Sequence, residues 1–141
     1  MSFHYLDDLT SDVAFEARGE SLEELLSTVA KAMLNIMYDL DEVEPAKSLF
    51  VSITGDNAEH LLHRWLSELL FQFEVENMYF CEFRDLSIRP TSDGLSVEGE
   101  LWGEEADPTL MKTHVKGVTY HKFSVRQEKA SEWVATVVVD I

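Results

Sequence analysis

Carboxyl groups stand beside a predicted strand near the end of this sequence of 141 residues. Asp140 and Ile141 directly follow the strand-like run 134–139, so we expect the Asp140 side chain and the carboxylate of the last residue to lie close together. Two negative groups held this close repel each other unless a cation or a positive side chain lies between them. Hard carboxylate oxygens are the ligands of calcium and magnesium. The residues therefore predict a hard-cation site, the alternative being a strand that ends where the fold ends.

Two further polar segments could take part in chemistry. Residues 8–12 (Asp-Leu-Thr-Ser-Asp) bring two carboxylates just before a predicted strand, although a turn closed by side-chain hydrogen bonds uses the same residue types. Residues 115–121 (Val-Lys-Gly-Val-Thr-Tyr-His), read as a strand, would present Lys116 on one face and Thr119 and His121 on the other. This strip could offer a cation, a hydroxyl and an imidazole to a partner or a nucleotide. The alternative is an ordinary exposed strand.

Other chemical motifs are weak or missing. The sequence has no Gly-rich phosphate loop, no paired-Cys zinc spacing and no serine elbow. His60 and His63 are three residues apart and share a helix face, but no third ligand is evident beside them. We interpret both histidines as surface or edge residues.

The charge is strongly negative and unevenly distributed. The 11 Lys and Arg residues against 27 Asp and Glu residues give a net charge of -16. Such a surface repels phosphate groups, so we expect no strong direct binding of nucleic acid. Residues 110–141 are locally basic, because they contain five Lys or Arg and three Asp or Glu. This segment is either a contact strip on an acidic body or a solvated strand face.

Length and composition indicate one domain over residues 1–141, with enough chain to bury a core. No apolar run approaches the roughly 18 residues that span a bilayer, so no membrane association is expected. The acidic N-terminal segment lacks the basic start of a signal peptide, and the lone Cys81 cannot form an internal disulfide. We expect Cys81 to be a small core residue of a cytoplasmic protein.

Hydrophobic periodicity predicts the elements that position these residues. Ser21 and Asp56 are predicted N-caps of two amphipathic helices, an irregularity is expected near 84–85, and a short helical turn is expected after Asp107. The order predicts an α+β two-layer sandwich, with two main helices packed on a mixed β-sheet. The predicted elements are helices over 22–38 and 57–73 and strands over 13–17, 49–53, 78–89, 95–101, 118–125 and 133–140.

Five segments follow one another along the chain: 10–13 (Thr-Ser-Asp-Val), 19–25 (Gly-Glu-Ser-Leu-Glu-Glu-Leu), 61–70 (Leu-Leu-His-Arg-Trp-Leu-Ser-Glu-Leu-Leu), 115–121 (Val-Lys-Gly-Val-Thr-Tyr-His) and 138–141 (Val-Val-Asp-Ile). Taken in this order, they resemble the archease family. The chain departs from the family pattern at two positions, since Leu9, directly before the first segment, stands where the family usually has His, and Gly117 stands where it usually has Ala.

The resemblance implies a protein cofactor rather than an enzyme. Archeases activate the GTP-dependent RNA ligase that joins a 2',3'-cyclic phosphate or 3'-phosphate end to a 5'-hydroxyl end in tRNA splicing and RNA repair. They promote its guanylylation and multiple turnover. The resemblance also implies a divalent cation, calcium with magnesium and manganese as alternatives. Its ligands here would be Asp12, Asp140 and a main-chain carboxylate or carbonyl oxygen of Ile141.

Two other functions stay open at this point. The chain could be a chaperone-like interaction module that modulates an RNA-modifying enzyme, such as a tRNA methyltransferase. A hydrolytic metalloenzyme has little support, because His121 is the only general base that the motifs place near the carboxylates. Together with Lys116 and Thr119, His121 is instead a candidate contact for the ligase.

Overall fold

The structure is a computed structural model that describes residues 2–6 and 12–141. The polar stretch predicted over residues 8–12 enters the described residues only at Asp12, and Leu9 lies outside them. The described elements are β1 (Ser2–Tyr5), β2 (Asp12–Gly19), α1 (Leu22–Met37), β3 (Lys47–Gly55), α2 (Ala58–Glu76), β4 (Met78–Pro90), β5 (Leu95–Glu105), β6 (Gly117–Lys129) and β7 (Glu132–Asp140), with short 3-10 turns at Leu40–Glu42 and Pro108–Leu110.

The described strands form two sheets. The large sheet has the order β1-β2-β7-β6 and the small sheet the order β3-β5-β4, and all their pairs are antiparallel. The predicted α+β class with two main helices is confirmed. The predicted single mixed sheet is corrected: the strands that flank α1 belong to different sheets, and β5 lies between the strands that flank α2. Neither helix therefore connects neighbouring parallel strands.

Both helices pack against strands of both sheets, so they close one core over the two sheets. The first helix contacts β1, β2 and β7 of the large sheet and β4 of the small one, whereas α2 contacts β3, β4 and β5 of the small sheet and β6 of the large one. Trp65 of α2 is fully buried, and its indole N–H donates to the carbonyl of Leu26 in α1 at 2.9 Å. Neither described helix is long and apolar enough to cross a membrane.

Side-chain hydrogen bonds set where the helices begin. The Ser21 hydroxyl accepts the N–H of Glu24 at 3.1 Å, as predicted. The cap of α2 is Asn57 rather than the predicted Asp56, because the Asn57 side-chain oxygen accepts the N–H of His60 at 2.8 Å. The backbone N–H of Asp56 instead donates to Nδ1 of the same His60 at 2.9 Å. Asn and Asp cap helices equally well, so the sequence alone could not separate these neighbours.

One strand was not predicted from the sequence, and another contains an irregularity that was. The sequence pattern did not predict β1, which pairs with β2 and is tied to α1 by a 2.9 Å hydrogen bond from the Tyr5 hydroxyl to the carbonyl of Ala32. The irregularity predicted in β4 is confirmed, since the register shifts between Arg84 and Ser87 and Asp85 adopts a φ of 55°. Cys81 of β4 is buried, as predicted, and burial raises the pKa of its thiol to about 11.

A buried tyrosine joins the end of α1 to β4. The hydroxyl of Tyr38 donates to the carbonyl of Phe80 at 2.8 Å and accepts the N–H of the same residue at 2.8 Å. Its ring stacks on Tyr79 with the two centroids 4.3 Å apart, and burial raises the pKa of Tyr38. One hydroxyl therefore satisfies both backbone polar groups of Phe80 inside the core.

We predict that Tyr38→Phe lowers the free energy of unfolding by about 1–3 kcal/mol, because both backbone groups of Phe80 lose a buried partner. Urea unfolding followed by circular dichroism measures this loss. The control is Tyr120→Phe, at a tyrosine that is 59% exposed, which should change stability by less than about 0.5 kcal/mol. Equal stability of the two variants would contradict the role given to Tyr38.

Candidate metal centre

The ladder between β2 and β7 brings Asp12 directly opposite Asp140. Its pairs run without a register shift from this pair to the pair of Gly19 with Trp133. Side chains that face each other in this way have Cβ atoms about 4.5–5.5 Å apart. The structure therefore brings together the two carboxylates that the sequence placed at opposite ends of the chain.

The two carboxylates project away from the helices. The next pair in the ladder, Val13 with Val139, packs with the hydrophobic core on the helix side of the large sheet. Because successive side chains of a strand point to opposite faces, Asp12 and Asp140 lie on the outer face of that sheet. Asp12 is half-buried and Asp140 is exposed, so solvent reaches the pair.

The electrostatics of the pair reflect two like charges at close range. A hydrogen bond with the Asp140 side chain raises the pKa of Asp12 most strongly, and burial and the charge of Asp140 raise it further. The charge of His121 acts in the opposite direction. A hydrogen bond between two carboxyl groups requires a shared proton, and a bound divalent cation would remove the same repulsion without one.

The segment before β6 holds the backbone beside Asp140. The N–H of Lys116 donates to the carbonyl of Asp140 at 2.8 Å, and Gly117 faces Asp140 in the β6–β7 ladder. A Cβ atom added at Gly117 would meet no atom within 4 Å, so this departure from the family alanine changes no packing. Ile141 follows Asp140 directly, so its main-chain oxygens are one residue away from Asp140 along the chain. Its side chain is half-buried against the core.

The sixth strand contains a large bulge close to the carboxylates. The β6–β7 ladder is regular through Thr119 and resumes at Ser124, so residues 120–123 lie opposite Val137 alone. Lys122 in this bulge adopts a φ of 57°, a left-handed conformation that is uncommon outside glycine. The simple alternation predicted over residues 115–121 therefore does not continue through the strand.

The bulge presents an imidazole on the side of the acidic pair. The backbone N–H of His121 donates to the hydroxyl of Thr119 at 3.0 Å. The exposed His121 ring is close enough to Asp12 for its charge to lower the pKa of that carboxyl group. Lys116 does not belong to the strand as predicted, since it precedes β6 and contributes its backbone to Asp140. Among the three predicted partner contacts, the Thr119 hydroxyl thus accepts a hydrogen bond from the backbone of His121, and Lys116 donates its backbone N–H to the carbonyl of Asp140.

Sequence reasoning missed the residue that supports the bulge from the other side. Nε2 of His63 in α2 lies 2.8 Å from the carbonyl oxygen of Val118. The His63 ring stacks on Tyr120 with centroids 3.8 Å apart and planes 8° apart, and it meets the buried Phe123 edge-on at 5.4 Å. His63 is a half-buried bridge rather than a surface residue, because the fold places α2 against β6.

The side chains supply an incomplete but chemically suitable ligand set. Within the described ranges 2–6 and 12–141, no three His, Cys, Asp or Glu side chains gather closely enough to hold a metal ion. Asp12 and Asp140 contribute two groups of hard oxygen donors, which fit calcium in type. Calcium takes six to eight oxygen ligands, so main-chain oxygens, water or a partner would have to provide the others.

Comparison with known proteins decides the family. Residues 3–141 match the model of the Archease protein family (MTH1598/TM1083). The chain belongs to the archease family. It is 37% identical to the archease of Methanopyrus kandleri over 134 residues, which is 94% of each chain. It is 36% identical to the archease of Methanosarcina barkeri over 141 residues, covering 99% of this chain and 95% of that relative.

A solved structure from the same family has the same fold. The solution structure of Methanobacterium thermoautotrophicum protein 1598 superposes with a TM-score of 0.84 at 33% identity, covering 99% of this chain and 98% of that one. The resemblance to archeases predicted from the sequence motifs is therefore confirmed over nearly the whole chain.

We predict that Asp140→Asn makes the metal-free archease fold more stable than the wild type as pH rises above 3.8, the ordinary pKa of Asp12. The raised pKa means that, at pH values between the pKa of Asp12 in the unfolded state and its pKa in the folded state, the folded protein binds more protons than the unfolded one. The wild-type protein therefore loses stability as pH rises through that interval. In the Asp140→Asn variant an uncharged amide replaces one of the two carboxylates, so the repulsion between them is absent. Urea unfolding at several pH values, in the presence of a chelator, measures the difference between the two proteins.

The control for this prediction is Asp93→Asn, which removes one exposed carboxylate from the turn between β4 and β5. A stability difference between Asp140→Asn and wild type that stays constant or declines with rising pH would contradict the proposed repulsion.

Proposed function

We propose that this chain activates an RNA ligase of the tRNA-splicing type by promoting its guanylylation and multiple turnover. In this proposal a divalent cation, calcium, is held by Asp12, Asp140 and a main-chain oxygen of Ile141. The observation that carries it is the pairing of Asp12 with Asp140 across the β2–β7 ladder, in a chain of the archease family.

The chain's own residues have positioning roles in this proposal. Asp12 and Asp140 come from neighbouring strands of one sheet, so the ladder holds their relative position. The N–H of Lys116 takes up one lone pair of the Asp140 carbonyl and orients the end of β7. A bound cation would supply a positive centre with open coordination positions, at which a group of the partner could bind.

The composition supports a protein partner rather than RNA. A net charge of -16 opposes binding to a phosphate backbone, so we expect the chain to bind the ligase rather than its RNA substrate. No proton donor or acceptor is assigned a catalytic role in this proposal, and the chemistry of end joining belongs to the ligase. A cytoplasmic location stays a prediction.

We predict that Asp12→Asn and Asp140→Asn each weaken calcium binding by about tenfold or more, because each removes a charged oxygen ligand. Isothermal titration calorimetry with calcium chloride alone measures the affinity. The control is Asp93→Asn, which should bind calcium like the wild type. Unchanged affinity in both site variants would exclude these ligands.

We predict that the wild-type chain raises RNA joining beyond one equivalent of product per ligase when the RNA ends are in excess. Gel analysis of product and of guanylylated ligase follows both effects. The Asp12→Asn and Asp140→Asn variants should lose most of the gain, whereas Asp93→Asn should retain it. No gain with the wild type, or capture of a tRNA methyltransferase in place of the ligase, would overturn the proposed function.

A further inference from the structure

We infer that His63 is a positioning residue for the acidic pair, Asp12 and Asp140. Its imidazole holds residues 118–121 of β6 from the helix side, and this held segment fixes the backbone beside Asp140. The inference rests on the proposed function, and it names a side chain outside the proposed ligand set on which calcium binding depends.

The second helix provides a rigid base for His63. Leu62 and Leu66, on either side of His63 along α2, are fully buried in the core. Trp65 is fully buried as well, and its indole N–H donates to the carbonyl of Leu26 in α1 at 2.9 Å. Packing therefore fixes the backbone that carries the imidazole, and a side chain that positions a site needs such a base.

One hydrogen bond joins this base to β6. Nε2 of His63 lies 2.8 Å from the carbonyl oxygen of Val118. A carbonyl oxygen only accepts hydrogen bonds, so Nε2 carries a proton and donates it. Both the neutral ring protonated at Nε2 and the charged ring can make this bond. The attachment is therefore independent of the charge of His63.

A ring contact attaches the same segment at a second point. The His63 ring stacks on Tyr120 with the centroids 3.8 Å apart and the planes 8° apart. Val118 and Tyr120 lie on either side of Thr119, whose hydroxyl accepts the backbone N–H of His121 at 3.0 Å. Because His63 contacts the residues before and after Thr119, it holds the whole segment as one unit.

The held segment borders the end of β7. Val118 faces Val139 in the β6–β7 ladder, and Gly117 faces Asp140. The N–H of Lys116 donates to the carbonyl of Asp140 at 2.8 Å. A displacement of Val118 would move the two residues that precede it, so the backbone beside Asp140 would lose its support.

The position of β6 explains why this attachment matters. Among the described strands, β6 ends the large sheet and has only β7 beside it. Its ladder is interrupted over residues 120–123, so residues 117–119 form a short piece of ladder beyond the bulge. Such a piece at the end of a sheet opens more easily than the middle does. The contacts with His63 hold it on the side where no strand of the described sheet lies.

The test separates the hydrogen bond from the ring contact. His63→Phe keeps a ring for Tyr120 but removes the donor to Val118. We expect it to bind calcium about tenfold more weakly, at the lower end of the range for groups that support metal ligands. His63→Gln keeps a side-chain N–H and should retain most of the affinity. The matched control is His60→Phe on the same helix, because His60 contacts Asp56 rather than β6. Calorimetry with calcium chloride alone compares these variants with the wild type.

Hydrogen exchange followed by NMR gives a second readout that needs no metal. The amide of Lys116 reports on the bond to Asp140, and the amide of Phe15, in the middle of the β2–β7 ladder, is the internal reference. In His63→Phe the ratio of the Lys116 exchange rate to the Phe15 rate should rise by about tenfold, because the contact opens locally. A loss of global stability alone would not raise this ratio.

The possible results separate this inference from the proposed function. If the wild type binds calcium and stimulates the ligase while His63→Phe binds calcium as tightly, His63 has no positioning role and the proposed function stands. An unchanged exchange ratio in His63→Phe, or an equal loss of calcium affinity in His60→Phe, also overturns the inference alone. If the wild type neither binds calcium nor stimulates the ligase, both fail. Weaker calcium binding and a raised exchange ratio in His63→Phe, with His60→Phe unchanged, support the positioning role.

Discussion

The register between β2 and β7 is the constraint on which the rest of the molecule depends. The seventh strand lies inside the large sheet, between β2 and β6, and both ladders must fit it at once. A slip of one residue would turn every side chain of β2 to the other face. Phe15 and Val137 prevent this, because they are cross-strand partners that are fully buried in the core. Core packing on one face thus sets the spacing of Asp12 and Asp140 on the other.

The bulge in β6 solves a geometric conflict within the same sheet. Val118 and Val125 are seven residues apart, so in a regular strand they would point to opposite faces. Both pack against the core, and the extra residues between them reset the alternation. The reset also leaves His121 exposed near Asp12 while Tyr120 meets His63. A packing requirement of the strand therefore creates an exposed corner beside the carboxylates.

The sequence predicts the parts of this molecule that follow from local pattern. Helical spacing and the Ser21 cap located α1, and alternation located most strands. Motif order, rather than periodicity, connected Asp12 with Asp140. The sheet division and the bulge were not predictable, because both depend on which strands pair at long range. The role of His63 was hidden for the same reason: its spacing describes a position on α2, whereas its function as a bridge depends on β6.

The position of β7 in the sheet has a consequence for how the protein is made. This strand is synthesised after every other described strand, yet two of them, β2 and β6, hydrogen bond to it rather than to each other. Until β7 has been synthesised, β2 and β6 each keep one edge without a hydrogen-bonded partner strand, and such unpaired edges favour aggregation. The ladder that joins Asp12 to Asp140 also spans nearly the whole chain, a type of contact that slows folding. A growing chain consequently cannot present the carboxylate pair before β7 has paired with β2, so any partner that recognises the pair selects molecules whose large sheet has formed.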